Sequence, residues 1–273
     1  MIIVGALTGV SVGRMFMAGA IPGLLLGFSM MIVCYILAVK NGYPRQPWKG
    51  WRELWDSFRG AFWALMLTAL IIGGLLSGVV TPTETAILAC VYAFVIGVYI
   101  YKGITLRDVP KIMIDSAVTS AALLALVGIA NVFGWIMAAE QIPQTIAKAM
   151  LSITNDRNLI ILLINILLLI VGMFMETIAA LIILFPTLMT VATGVGIDPV
   201  HFATFAVLNL MIGLTTPPVG VCLFVCANIA KEPLWEVIKA IFPFLIGNLV
   251  VLLMVSYIPQ LSLWLPNLLF GGK

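Results

Sequence analysis

Charged residues are scarce in this chain. Only 9% of its 273 residues are Asp, Glu, Lys or Arg, whereas soluble domains carry about 25%. Hydrophobic residues make up 63%, and the mean hydropathy is +1.19. So little charge excludes an ordinary soluble domain and indicates an integral membrane protein. The formal net charge of +3 is too small to indicate a nucleic-acid partner.

Side chains suited to metal or nucleophile chemistry are also few. The chain has one histidine, His201, and four cysteines in apolar stretches, namely Cys34, Cys90, Cys222 and Cys226. Small buried hydrophobes are favoured over a disulfide or metal site, because no acidic or histidine partner is near Cys222 and Cys226. There is no HExxH motif, and the one match to GxSxG, GVSVG at residues 9–13, is a weak pattern by itself. We therefore predict no catalytic residue and no transition-metal site, and we expect His201 at the surface end of a helix.

Long apolar runs dominate what is present. They lack the alternation of a barrel strand, so the backbone inside lipid is predicted to be helical. The opening MIIVGALTGVSVGRMF has no signal-peptide features and resembles the interior of a larger membrane protein. We expect four regions: 1–40, with a span at 15–39; 41–60, an arm helix; 61–157, with scaffold spans and a second arm; and 158–273, a transport region.

The 41–60 region is amphipathic. Its aromatic side chains share one face, and its charges lie elsewhere, which is typical of a helix lying in the membrane interface. The aromatic face consists of Trp48, Trp51, Trp55 and Phe58. Five basic residues between Lys40 and Arg59 favour the cytoplasmic side.

The 158–195 segment is too long for one crossing of about 20 residues and short for two crossings with a polar loop. Its only interruption is GMFMET, residues 172–177, where Gly172 and Glu176 lie together. An ionisable residue inside a membrane segment indicates function. We favour a re-entrant hairpin of two half-length helices over a single long tilted helix.

A second interruption, GLTTPPVG, occupies residues 213–220 of the following apolar stretch, 199–230. Pro217 and Pro218 cannot donate to carbonyls one turn earlier, so the carbonyls near Gly213 are expected to be free. Thr215 and Thr216 add hydroxyl oxygens, and Thr216 is expected to cap a half-helix that starts at Pro217. Broken helices of this kind form substrate and Na⁺ sites in secondary transporters. A last span is expected at 237–258.

The segment TPTE contains the other membrane carboxylate. Thr81, Pro82 and Glu84 fit a capping box, with Thr81 before the helix and Glu84 in its first turn. A structural role is favoured for Glu84, although an intramembrane acid is also a functional candidate.

A shift of 221 residues aligns the start of the chain with the region after the second break. Val4 then meets Val225, and Pro22 meets Pro243. If this is a repeat, the equivalent of Pro217-Pro218 precedes Met1, and most of a first repeat is missing. Inverted repeats are common in transporters.

Four segments together resemble a known family. They are GGLLSGVVTPTETAILACVYAFVIG, GMFMETIAALIILFPTL, GIDPVHFATFAVLNLMIGLTTPPVGVCLFV and PFLIGNLVVLLMVSYIPQLSLWLP. They are similar to the large membrane subunit of tripartite ATP-independent periplasmic (TRAP) transporters, over essentially the whole chain. The resemblance implies an elevator-type fold with inverted repeats in a bacterial or archaeal inner membrane. It also implies Na⁺-driven import of organic acids such as dicarboxylates or sialic acid, a periplasmic substrate-binding protein and a small membrane subunit.

Carried onto this chain, the resemblance implies one Na⁺ site between the hairpin tip and the broken helix, with no other cofactor. The implied cation-site residues are Gly172, Met175, Thr177, Gly213, Thr215, Thr216 and Pro217. Glu176, Pro218 and Gly220 are the substrate-proximal candidates. The family usually has Asp where this chain has Glu176, and its first repeat is absent here. This chain alone is therefore expected not to transport. The alternatives are a non-transporting fragment or assembly module, and a membrane-embedded enzyme using Glu84, Glu176 or His201.

Overall fold

The computed structural model describes residues 1–43, 49–77, 80–141 and 156–271, together with isolated positions between 142 and 155. Within those ranges every regular element is helical, as the sequence predicts. The helices are α1 (Ile2–Thr8), α2 (Val12–Lys40), α3 (Trp51–Ser77), α4 (Pro82–Val95) with a π-helical extension (Ile96–Ile100), α5 (Val109–Ala139), α6 (Arg157–Phe174), α7 (Thr177–Gly194), α8 (Pro199–Gly213), α9 (Val221–Ala230), α10 (Leu234–Tyr257) and α11 (Gln260–Phe270). The expected second arm and Trp48 lie outside the described residues.

Six helices in the described ranges are long and apolar enough to cross a membrane. They are Val12–Lys40, Trp51–Leu75, Pro82–Ile100, Arg157–Phe174, Thr177–Gly194 and Leu234–Tyr257. Many of their large hydrophobic side chains face outward, which suits a hydrocarbon surrounding. The chain is therefore a multi-pass membrane protein.

The chain forms two compact units, Met1–Gly42 with Leu126–Lys273, and Tyr43–Ala125. In the first unit α8 is the central helix, in contact with α2, α6, α7, α10 and α11. Its buried residues lie on all sides rather than on one stripe, as expected for a helix enclosed by others. Phe202 and Phe205 are fully buried there, and Phe202 contacts Phe185 of α7 at a centroid distance of 5.0 Å.

The first turn of α8 forms as its sequence predicts. Asp198 caps the helix, with its Oδ1 accepting from the N–H groups of Val200 (2.8 Å) and His201 (3.2 Å), and Pro199 takes the first position. The expectation for His201 was wrong, because its side chain is fully buried. Its Nε2 lies 3.1 Å from the Ser256 carbonyl oxygen of α10. The enclosure of α8 explains the difference, since an end of a central helix is still an interior position.

In the second unit α3 and α4 pack together. The Tyr92 hydroxyl donates to the Trp63 carbonyl (3.0 Å), and the Tyr101 hydroxyl donates to the Gly60 carbonyl (2.6 Å). The sequence placed a boundary between an arm ending at residue 60 and a span beginning at residue 61. That boundary was wrong, because α3 runs through it as one helix from Trp51 to Ser77. The stretch contains no proline, and Gly60 takes a helical backbone rather than ending a helix, so the backbone hydrogen bonds continue.

The capping box at the start of α4 is confirmed. The Thr81 hydroxyl oxygen accepts from the Glu84 N–H (3.3 Å), and Glu84 Oε2 accepts from the Thr81 N–H (2.7 Å). Pro82 occupies the first turn. Both carboxylate contacts are local, so Glu84 has the structural role that the sequence favours.

The stretches related by the 221-residue shift form similar elements. α1 and α9 are short helices that end at residues with left-handed backbones, Gly9 (φ +69°) and Lys231 (φ +56°). Each is followed by a long helix with an internal proline, Pro22 in α2 and Pro243 in α10. The helix ends match with a shift of 222 residues and the prolines with one of 221. The inverted relation of two repeats stays a prediction.

Candidate functional site at the hairpin tip and the helix break

The interruption at GMFMET separates two helices. α6 ends at Phe174, α7 begins at Thr177, and Met175 has an extended backbone (φ −120°, ψ 149°). The alternative of a single long helix is therefore wrong. Each helix has 18 residues, or about 27 Å, so each takes about half of the 158–195 segment. α6 and α7 contact each other, while their re-entrant placement in a membrane stays a prediction.

Glu176 caps α7. Its Oε2 accepts from the N–H groups of Ile178 (2.9 Å) and Ala179 (3.2 Å). A carboxylate at this position also interacts favourably with the positive end of the helix dipole. The substrate-proximal role expected for Glu176 stays a prediction, and its carboxylate has a structural role in this conformation.

The second break is longer than the sequence indicates. α8 ends at Gly213 and α9 begins at Val221, so the expected helix start at Pro217 was wrong. Thr216 does not cap α9; Gly220 precedes it, with a left-handed backbone (φ +49°). A Cβ on Gly220 would lie 2.9 Å from the Thr216 carbonyl oxygen, so the turn requires glycine. Pro217 and Pro218 lie inside the non-helical turn, and Pro218 is exposed.

The carbonyls beside the prolines are not free, contrary to the sequence expectation. The Ile212 carbonyl accepts from the Thr215 N–H (3.0 Å) and from the hydroxyls of Thr215 and Thr216 (2.8 Å each). The Gly213 carbonyl accepts from the Thr216 N–H at 2.9 Å. The turn therefore supplies the partners that the prolines remove, as helix ends commonly do.

The same contacts leave hydroxyl oxygens available. When the Thr215 and Thr216 hydroxyls donate hydrogen bonds to the Ile212 carbonyl, the lone pairs of both hydroxyl oxygens can still accept a hydrogen bond or bind a cation. At the hairpin tip, Thr177 is buried, and its Oγ1 has no hydrogen-bond partner within the part of the chain that the structure describes. Hydroxyl oxygens are ligands suited to a hard cation such as Na⁺.

The tip and the break lie against each other. A Cβ on Gly213 would lie 2.7 Å from the Cα of Gly172, so the two backbones are in direct contact. The Gly220 N–H also donates to the Met173 carbonyl at 3.0 Å. These contacts bring the two predicted interruptions together. The convergence of the Thr177 hydroxyl with that of Thr215 stays a prediction.

Four helix ends meet here, two of each polarity. α6 and α8 bring their C-terminal ends, which carry partial negative charge, and α7 and α9 begin on the other side of the two breaks with partial positive charge. The arrangement provides favourable positions for a cation and for an anion within one site.

A buried polar cluster beside this site was missed from the sequence. Asn165 of α6, Asn209 of α8 and Ser256 of α10 are all buried, and Asn209 and Ser256 both donate to Asn165 Oδ1. The signal was a single asparagine within each of two strongly apolar stretches, LLINILLL and AVLNLMIG. A polar amide at such a position is buried at a cost unless it is paired.

Comparison with known proteins gives the chain its family. A sequence profile described as "Tripartite ATP-independent periplasmic transporter, DctM component" matches residues 1–261. The sialic acid TRAP transporter large permease protein SiaM of Vibrio cholerae is 41% identical over 271 residues, covering 99% of this chain and 64% of the relative. The C4-dicarboxylate TRAP transporter large permease protein DctM of Rhodobacter capsulatus is 43% identical over 259 residues, covering 95% of this chain and 59% of the relative.

A third relative has a composite name. The isethionate TRAP transporter permease protein DctMQ of Oleidesulfovibrio alaskensis is 38% identical, covering 96% of this chain and 42% of the relative. The chain thus spans about three fifths of the length of the first two relatives, 64% and 59%. Because the profile matches residues 1–261 of the 273, the chain belongs to the DctM family of TRAP transporter large permeases.

Proposed function

We propose that this chain forms part of a Na⁺-coupled secondary transporter that imports organic anions across a bacterial inner membrane. The observation that carries the proposal is the contact between the hairpin tip and the helix break through Gly172 and Gly213. In this proposal Thr177, Thr215 and Thr216 provide hydroxyl oxygens to Na⁺ beside the negative ends of α6 and α8.

The substrate class follows from the other two helix ends and from the relatives. The relatives are named for C4-dicarboxylate, sialic acid and isethionate, which are all anions. The positive end of α9 suits a carboxylate or sulfonate group, and at α7 the Glu176 carboxylate already makes this kind of contact. An anion next to bound Na⁺ would also be attracted by the ion's charge, which couples the two binding events.

The proposed partners follow from the family membership. A periplasmic substrate-binding protein delivers the anion, and a small membrane subunit completes the complex. The similar elements α1–α2 and α9–α10 support an inverted repeat, in which one helix bundle moves against another. A second set of hairpin and broken helix, from the part of the relatives that this chain does not match, would then complete the site.

The ion site is tested on the purified full chain by its melting temperature in NaCl, with choline chloride keeping the ionic strength constant. A ligand that binds the folded state raises stability with its concentration. We expect Na⁺ to raise the melting temperature of the chain and K⁺ to leave it unchanged. Thr177→Val and Thr215→Val should each raise the Na⁺ concentration for half of this effect by about 10-fold.

The matched control is Thr193→Val, next to the C-terminal residue of α7. The Thr193 hydroxyl donates to the carbonyls of Met189 (2.8 Å) and Thr190 (3.2 Å), so the substitution removes a similar local contact far from the tip. Its Na⁺ midpoint should equal that of the unmodified chain. Stabilisation by Na⁺ and K⁺ alike, or equal midpoints in all three variants, would contradict the proposed site.

A further inference from the structure

We propose that Asn165, Asn209 and Ser256 form a polar clamp that fixes the register of α6 against α8 and so positions the helix break for the coupling ion. The inference rests on the proposed function. It assigns a positioning role to three residues that do not touch the ion.

The clamp joins three helices through side chains. Asn209 Nδ2 donates to the backbone carbonyl of Asn165 (2.9 Å) and to its Oδ1 (2.8 Å). The Ser256 hydroxyl donates to the same Oδ1 at 3.3 Å. The exposed fractions of Asn165, Asn209 and Ser256 are 4%, 0% and 0%, so water does not compete for these contacts.

The contacts determine which way each amide points. A backbone carbonyl can only accept a hydrogen bond, so Asn209 must present its NH₂ group to Asn165. Asn165 must then present Oδ1, because two NH₂ groups facing each other would form no hydrogen bond. The pair therefore has a single favourable arrangement, and sliding one helix along the other breaks it.

The clamp is not the least costly way to join two apolar helices. Asn165 Nδ2 and Asn209 Oδ1 are buried without a partner among the described residues, and burying such atoms is unfavourable. A pair of leucines would fill similar space without that cost. Polar groups in this situation contribute a defined register more than net stability.

The register fixed by the clamp is also the one that the ion site needs. Gly172 follows Asn165 by seven residues on α6, and Gly213 follows Asn209 by four on α8, so each pair shares a helix face. The two backbones come into close contact at Gly172 and Gly213, where a Cβ at either position would lie within 3.1 Å of the facing backbone. Loss of register would therefore separate Met173 and Thr177 from the break.

The experiment compares Asn165→Leu, Asn209→Leu and the double variant in the full purified chain, measuring the melting temperature against NaCl concentration. Each single variant should melt lower, since it leaves one amide without its partner. The double variant should recover most of the melting temperature, because two leucines pack without unpaired polar atoms. It should still need about 10-fold more Na⁺ for half-maximal stabilisation, as with residues that support a metal ligand.

Two further variants make the result decisive. Asn248→Leu is the matched control, because Asn248 is a buried asparagine of α10 whose Oδ1 has no partner in the described part of the chain; its Na⁺ midpoint should not change. Ser256→Ala removes one contact with little change in volume and should shift the midpoint in the same direction by a smaller factor. It keeps the test valid if the double variant does not fold.

Each outcome has one meaning. A double variant with a restored melting temperature and an unchanged Na⁺ midpoint overturns the clamp as a positioning device, while the proposed ion site stands. An unchanged midpoint in Ser256→Ala, with a double variant that does not fold, overturns it as well. If the unmodified chain shows no Na⁺-specific stabilisation, the proposed function fails, and the ion-positioning role fails with it.

Discussion

Glycine decides how closely the two interrupted segments approach. At Gly213 an added Cβ would lie 2.7 Å from the Cα of Gly172 and 2.8 Å from its carbonyl carbon. Both neighbours are backbone atoms of a helix end, so they cannot rotate away as a side chain could. The contact that brings tip and break together therefore depends on the absence of two side chains.

Gly213→Ala should lower the free energy of unfolding by about 1–3 kcal/mol, because the added methyl group forces α6 away from α8. Thermal unfolding of the purified chain measures the change. Gly194→Ala is the control, since a Cβ at the end of α7 meets nothing within 4 Å. Equal melting temperatures for the two variants would show that the close contact does not limit stability.

The carboxylates and the histidine show how much local sequence patterns predict. The capping box of Thr81 and Glu84 is a local pattern, and the structure has it as predicted. Glu176 was predicted as a functional acid, and the structure adds a local role that its spacing to Ile178 and Ala179 could have indicated. His201 is buried against α10, where its partner Ser256 lies 55 residues further on, and no local pattern contains that contact.

At the scale of elements, α3 combines two predicted segments into one helix. Its 27 residues extend over about 40 Å, whereas the hydrocarbon core is about 30 Å thick. The excess corresponds to about seven residues, which is close to the length of the amphipathic stretch at its start. Trp51 and Trp55 are exposed there, as an interfacial location requires.

Spin labels on α3 should report this division. In a background without the four native cysteines, a nitroxide at position 55 should be relaxed mainly by a polar reagent, and one at position 66 mainly by oxygen. Trp55 and Met66 are both exposed, so either label reports its surroundings directly. A label at position 55 as deep as that at position 66 would place the tryptophans within the membrane core.

For the whole molecule, the positive charges around residues 40–59 predict orientation. Asp56→Cys and Arg107→Cys should react with an impermeant maleimide from the cytoplasmic side. Thr83→Cys should react from the opposite side, because α3 and α4 are each long and apolar enough to cross once. Labelling of inside-out vesicles and of intact cells distinguishes the two sides of the membrane. Samples permeabilised with detergent control for the reactivity of each cysteine. Reaction of positions 56 and 83 from the same side would exclude this topology.

The sequence by itself determined the all-helical membrane class, the family and the positions of both interruptions. These follow from composition, from run length and from prolines and glycines, and all act within a few residues of chain. It also determined the caps at Thr81 and Asp198, since a cap needs only its own first turn.

Only the tertiary structure decided what the interruptions contact. The start of α9 at Val221 depends on a turn in which Gly220 binds Met173 of another helix. The pairing of Asn165 with Asn209 joins residues 44 positions apart, and the contact of Gly172 with Gly213 joins helix ends that are separated by all of α7. Such contacts arise when apolar helices pack around α8, and they are set by the complementarity of whole surfaces, which no single stretch of sequence contains.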